Sequence, residues 1–182
     1  VDAVVSLTGF SLVGGPAYND AKSAETVLAA LDVPYVAAHP VEFQTLEQWA
    51  GSGRGLMPVE STIMVAIPEL DGSISPMVYG GRSDASGEAC KGCERRCVFP
   101  QSSAGRDMQS CAERADMLAA RIERLVTLRR SERRERKVGV VLFNFPPNAG
   151  NTGTAALLAV FESLYQTLAG MQRAGYTVDL PD

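Results

Sequence analysis

No apolar run in this 182-residue chain approaches the roughly 18 residues that a bilayer-crossing helix requires, so a helical membrane span is excluded. Basic charge is not in excess: 17 Lys and Arg face 21 Asp and Glu, a net charge of -4, which removes any global reason to expect nucleic acid as a partner. There is one histidine, His39. The chain opens on Val1 rather than Met and shows no secretory signal, so we read it as an internal piece of a longer polypeptide. Cysteine is scarce, with four residues. Without a secretory signal they point to a reducing, cytoplasmic setting, where clustered thiols bind metal more often than they form structural disulfides. What is present is ordinary for a globular domain: 46% hydrophobic and 21% charged residues in a chain long enough for a substantial core.

Hydrophobic patterning predicts an α/β fold of Rossmann-like β-α-β units with a mainly parallel sheet, interrupted by an irregular cysteine-containing insert and a long helix. Val1–Phe10 reads as a strand, and Asn19 or Asp20 as the cap of a helix with Ala24, Val27, Leu28 and Leu31 on one face. Val33–Ala38 is the second strand, and Pro58–Ile67 a short helix with Val59, Ile63 and either Ala66 or Ile67 on one face, ended by Pro68. Met77–Arg82 forms a further strand. Periodicity vanishes over residues 83–108 and returns as a long helix marked by Ala115, Leu118, Ile122, Leu125 and Leu128. Val138–Phe143 reads as the clearest buried strand, followed by a glycine loop, a helix over 155–169 and a strand at Gly175–Leu180. The expected organisation is 1–82 as an α/β unit, 83–111 as the insert, and 112–182 as the long helix with a second β-α-β unit. The mixed-sign run Arg129–Lys137 reads as a solvated helix end and linker.

Candidate chemistry gathers at four places. Pro68-Glu69-Leu70-Asp71-Gly72 follows an apolar segment beginning at Glu60, which would carry Glu69 and Asp71 to the edge of a core where carboxylates are desolvated. The same residues also suit a simple Pro-bounded Asp-Gly turn. His39, at the expected end of the second strand, can be a base or a ligand, or a histidine hydrogen-bonded beside a proline turn. The loop Asn144–Thr154 offers backbone N–H groups at a helix start, as an anion cradle or simply as a turn. It carries no Lys-Ser or Lys-Thr pair after its glycines, which argues against nucleotide hydrolysis in this segment. Finally, Cys90-x2-Cys93-x3-Cys97, with Cys111 thirteen intervening residues later, offers four thiolates. They suit a [4Fe-4S] cluster, because a compact triplet plus one remote cysteine differs from the two tight pairs of common structural zinc sites. Zinc, or free thiols and disulfides, are the alternatives.

Taken together, A-Y-N-D, V-P-Y-V-A-A-H-P-V-E-F-Q-T-L-E-Q-W, V-A-I-P-E-L-D-G and V-V-L-F-N-F-P-P-N-A-G-N-T-G-T-A-A resemble the large subunit of magnesium chelatase over nearly the whole chain. More loosely, they resemble the related large subunit of aerobic cobaltochelatase. The cysteine loop is similar to the bacteriochlorophyll-pathway form. The resemblance implies protoporphyrin IX as substrate, Mg2+ as the inserted ion, and ATP bound only by two AAA+-type partner subunits. It also implies the next methyltransferase of the pathway as a further partner. The motif match locates the region without assigning each step; from the oxygen preference of Mg2+ and the loss of two pyrrole protons we infer that Glu69 and Asp71 receive the ion, Glu60 and His39 accept the protons, and Arg82, Asn151 and Gln44 hold the substrate.

Overall fold

Tyr35–Thr45 forms the central strand, β2, and every residue from Tyr35 to Val41 is buried, as expected of a parallel strand covered on both faces. In this computed structural model the described residues are 1–15, 18–84, 86–99, 108–142 and 159–180. They fall into two compact units, Val1–Val126 and Thr127–Asp182.

The first unit holds a four-stranded sheet in the order β1 (Val4–Ser6), β2, β3 (Ile74–Arg82), β4 (Met108–Ser110). β1, β2 and β3 are parallel; β4 returns antiparallel, pairing Gly80 with Ser110 and Arg82 with Met108. The mainly parallel α/β arrangement is therefore present. β2 runs seven residues past the predicted end at Ala38, so His39 lies inside the strand and not at its tip. Pro40 is accommodated within the strand at an irregularity, where the register against β3 shifts between His39 and Pro40, the kind of place at which a sheet tolerates proline.

Asp20 caps the helix α1 (Ala21–Leu31) by accepting the Ser23 N–H at 3.0 Å. Asp32 ends it in the left-handed conformation, φ 46°. Ala24 is buried on it as expected, whereas Val27 and Leu31 are exposed. A short helix absent from the sequence reading, α2 (Leu46–Gly51), follows β2 directly, closed by a reciprocal Thr45–Gln48 cap.

The segment after it is helical as predicted but does not stop at Pro68. It runs as α3 (Pro58–Glu60), a π-helical stretch (Ser61–Ala66) and α4 (Ile67–Leu70). A proline ring collides with the carbonyl four residues back, here that of Met64. The widened turn, with the Ile67 N–H bonded to Thr62 five residues back, accommodates it. The buried face carries Glu60, Met64 and Pro68, all fully buried, in place of the expected Val59 and Ile63.

Alternation along the strands sends Met77 and Val78 to opposite faces. On one face Val36, Ala38 and Met77 pack with Leu118, Ile122 and Leu125 of the long helix α5 (Ala112–Arg130), three of the five positions predicted to line it. On the other, Val41, Leu46, Val78, Cys90 and Phe99 pack together, with Trp49 and Leu56 alongside.

In the second unit the helix α6 (Val160–Arg173) ends on Gly175, φ 92°. The N–H of Gly175 bonds Gln172 and that of Tyr176 bonds Met171, a glycine-closed terminus. Two predicted strands are not formed. Residues 138–142 and 176–180 lack regular structure, and Val138, Val140 and Val141 are exposed. Apolar β-branched composition favours extended backbone, but a strand exists only through hydrogen bonds to a neighbour, and no described residue supplies one here. Phe143, the glycine loop through Thr154 and the predicted helix start lie outside the described residues.

Candidate functional site

The cysteine loop is closed at its base by an isolated bridge between Ala89 and Val98, with the Cys90 N–H bonded to the Cys97 carbonyl at 2.7 Å. Inside this closure, main-chain N–H groups point at sulfur. Gly92 donates to Cys90 Sγ at 3.3 Å and Cys97 to Cys93 Sγ at 3.4 Å. Cys111 arrives from the start of α5, its N–H bonded to the Tyr79 carbonyl at 2.9 Å. Its sulfur accepts the Arg114 N–H at the helix N-terminus, where negative charge is favoured. The Sγ atoms of Cys93, Cys97 and Cys111 lie within 4.8 Å of one another, and those of Cys97 and Cys111 are 3.8 Å apart. Cys90 is buried in the adjoining apolar cluster, and its thiol bonds that of Cys93.

Burial pushes the Cys111 thiol up to about 11 and raises that of Cys90. At Cys93 burial acts in the same sense but is outweighed: the Cys97 N–H and the neighbouring thiols hold it below the usual thiol range. Protons are thus unevenly shared in a cluster of sulfurs, which a soft cation would replace.

The carboxylates separate into two engaged and one open. Glu60 is 0% exposed. It accepts the N–H of Met57 at 2.9 Å and of Phe43 at 3.2 Å, and the Gln44 amide at 2.6 Å. Asp71, 3% exposed, accepts Ser11 Oγ at 2.9 Å, the Leu12 N–H at 2.7 Å and Asn19 Nδ2 at 2.7 Å. Glu69 is exposed, at the end of α4.

His39 is 1% exposed and its Nδ1 lies 3.4 Å from the Pro40 carbonyl. Burial holds its pKa below the usual histidine value, against the Pro40 carbonyl and the charge of Glu60, which favour protonation. Gly9, φ 69°, is packed on it so closely that a Cβ there would fall 2.6 Å from His39 Cβ and 3.4 Å from Met64 Cγ.

The structure therefore brings His39, Glu60 and Gln44 into one buried neighbourhood, and ties Asp71 separately to the loop after β1. Arg82 is exposed at the end of β3, and Asn151 lies outside the described residues. Of the described ones among these residues, none lines the apolar groove of about 650 Å3 between β1 and α5, which is walled by Val5, Leu7, Tyr79, Leu118 and Ile122.

Sequence reasoning missed Ser11 and Asn19 as partners of Asp71, and also Trp49, Glu113 and Arg114 around the cysteines. Asn19 and Trp49 carried a signal, as the third residue of A-Y-N-D and the last of V-P-Y-V-A-A-H-P-V-E-F-Q-T-L-E-Q-W.

The family described as CobN/Magnesium Chelatase matches residues 1–182, the entire chain. Over all of its length the chain is 57% identical to the H subunit of the magnesium chelatase of Cereibacter sphaeroides, and spans 15% of that relative. It is 42% identical to the chloroplastic magnesium-chelatase subunit ChlH of Oryza sativa subsp. indica, spanning 12% of it. With 97% of the chain aligned, it is 28% identical to the aerobic cobaltochelatase subunit CobN of a Sinorhizobium species, spanning 13% of it.

Proposed function

Because the chain belongs to the CobN/magnesium chelatase family, we propose that it is a segment of a chelatase large subunit that binds protoporphyrin IX and carries out Mg2+ insertion. In this reading two AAA+-type partners hydrolyse ATP, the product passes to a methyltransferase, and the complex works in the cytoplasm. The observation that carries the reading is the end-to-end identity with the large, H-type component of a magnesium chelatase.

The geometry adds roles. Mg2+ prefers oxygen ligands and gives up water reluctantly, so a solvent-facing carboxylate is the natural receiver. Glu69 is that group, on a corner between Pro68 and Gly72 that the engaged Asp71 anchors. Closing the macrocycle on the ion requires removal of two pyrrole protons. His39, kept neutral by burial, is in the proton-accepting form, and Glu60 beside it is the second acceptor. Arg82, exposed at the end of β3, suits a propionate, with Gln44 and Asn151 as further substrate contacts.

In the intact large subunit, Glu69→Gln is expected to abolish chelation while porphyrin binding, followed by fluorescence quenching, stays within about twofold of wild type. Full activity in that variant would remove Glu69 from the mechanism.

The four cysteines fit a metal centre: the sulfurs of Cys93, Cys97 and Cys111 are already gathered, those of Cys90, Cys93 and Cys111 accept main-chain N–H bonds, and Cys111 sits at a helix N-terminus. Cys90, Cys93, Cys97 and Cys111 would hold a [4Fe-4S] cluster, which supplies a one-electron redox couple. Zinc is the second reading. The observed 3.8 Å between Cys97 and Cys111 sulfurs matches the edge, about 3.8 Å, of a tetrahedron with metal–sulfur bonds of about 2.3 Å.

The alternative to a direct part in insertion is that the centre is a redox-sensing module that regulates the complex. Anaerobic purification of the full-length protein is expected to yield iron and acid-labile sulfide in equal amounts; one zinc without sulfide would reject the cluster. The alternative is a cobaltochelatase large subunit that inserts cobalt into a corrin, a reading supported by the 28% identity with an aerobic cobaltochelatase subunit. Metal and tetrapyrrole preference assays on the complex separate it from magnesium insertion.

A further inference from the structure

We propose that Glu113 and Arg114, in the first turn of α5, are positioning residues for the thiolate centre: they hold the cysteine loop in its ligating shape through main-chain hydrogen bonds without touching the metal. The proposal rests on the metal-binding reading above.

Three of the ligands lie on a loop without regular structure, and the fourth lies on a helix, so affinity depends on how well the loop is held against that helix. Glu113 grips one half of the loop. Its two carboxylate oxygens separately accept the N–H of Glu94 at 3.1 Å and of Arg95 at 2.7 Å, the two residues that follow Cys93. The next residue, Arg96, adopts φ 51°, a left-handed conformation costing a non-glycine residue about 1 kcal/mol, and Cys97 then turns its N–H back onto Cys93 Sγ. Such a turn needs an external tie, and Glu113 supplies it. A salt bridge from Arg95 to Asp116, one turn further along the same helix, reinforces the contact.

Arg114 grips the other half. Its guanidinium donates to the Gly92 carbonyl at 2.9 Å, and lies over the Trp49 ring with 4.5 Å to the centroid. A longer contact, 3.5 Å, reaches the Val78 carbonyl of β3. Gly92 lies between Cys90 and Cys93 and its N–H bonds Cys90 Sγ, so fixing Gly92 fixes that sulfur. On its far side Gly92 is wedged against α2, where a Cβ would fall 3.2 Å from Ala50 Cβ and 3.4 Å from Trp49.

An acid in the first turn of a helix ordinarily needs no explanation beyond the helix dipole. Here both side chains are aimed at main-chain groups of the ligand loop instead. Because they follow Cys111 closely in sequence, one helical turn places the remote ligand and both clamps on the loop together.

The test uses the full-length protein carrying its own metal centre. Thiolate-to-metal charge-transfer absorption and the rate of metal release to excess chelator are measured for wild type, Glu113→Ala, Glu113→Gln and Arg114→Ala. Both alanine variants are expected to release metal about 10- to 100-fold faster, in the range typical of groups that orient metal ligands, with a shifted charge-transfer band and unchanged far-ultraviolet dichroism. Glu113→Gln should recover part of the loss, since its amide oxygen still accepts an N–H. Should an alanine variant fail to fold, Arg114→Lys decides: it keeps the charge but loses the planar fork, and is expected to release metal faster than wild type. Wild-type release rates and spectra in the folded variants would overturn the proposal. Wild-type protein holding no thiolate-bound metal would instead overturn the metal reading on which it rests.

Discussion

Glu60→Ala is expected to destabilise the folded protein by about 3–4 kcal/mol, because it strands the Phe43 and Met57 main-chain N–H groups and leaves the Gln44 amide only its longer bond, 3.3 Å, to the Gly55 carbonyl. The fully buried carboxylate ties together three points of the chain: the end of β2 through Phe43 and Gln44, the loop after α2 through Met57, and the helical segment it belongs to. Glu60→Gln keeps the shape and one acceptor oxygen but turns an NH2 towards donors, so about 1–2 kcal/mol is expected for it. The pair of variants separates a structural carboxylate from a proton acceptor. If Glu60 acts only through its hydrogen bonds, chelation should fall in step with stability, measured by thermal unfolding followed at Trp49. If it accepts a pyrrole proton, Glu60→Gln should lose chelation far beyond its stability loss. Wild-type unfolding behaviour in Glu60→Ala would show that water replaces the carboxylate at no cost, and that the network is not what holds these segments.

The legibility of this site follows the range of the interactions that build it. Features set within a few residues could be read: the Asp20 cap, the Leu118-Ile122-Leu125 face, and the C-x2-C-x3-C spacing. Features set at long range could not. Nothing near Glu60 announces that its acceptors will be filled from Phe43 and Gln44, seventeen and sixteen positions away, or near Asp71 that Ser11, Leu12 and Asn19 will occupy it. Pro68 misled because the rule that proline ends a helix assumes a regular α-helical turn before it, and the π-helical stretch relaxes that condition. Residues 138–142 misled for the opposite reason. Their composition satisfies every local condition for a strand, yet pairing is a property of two segments, and among the described residues the second is missing.

Gly80→Ala is expected to damage the proposed metal centre without altering any of its cysteine ligands. Gly80 pairs with Ser110, and a Cβ built on it would fall 2.1 Å from the Gln109 carbonyl oxygen and 2.9 Å from the Ser110 Cα. Both neighbours are main chain, so no side chain can rotate away, and β4 must move by an ångström or so at a cost of about 1–3 kcal/mol. β4 is three residues long and leads straight into Cys111, whose N–H is bonded to Tyr79, the residue before Gly80. Displacing β4 therefore displaces the start of α5, and with it Cys111 and the two side chains that grip the cysteine loop. Metal retention is expected to fall at least about tenfold, read as release to chelator from the full-length protein. Gly53→Ala provides the control, since a Cβ at Gly53 meets nothing within 4 Å, and both stability and metal retention should stay at wild-type values. Loss of stability in Gly80→Ala with unchanged metal release would mean that the loop carries its fourth ligand without help from the sheet. Coupled loss of both would establish the β3–β4 pairing as the scaffold on which the thiolates are set.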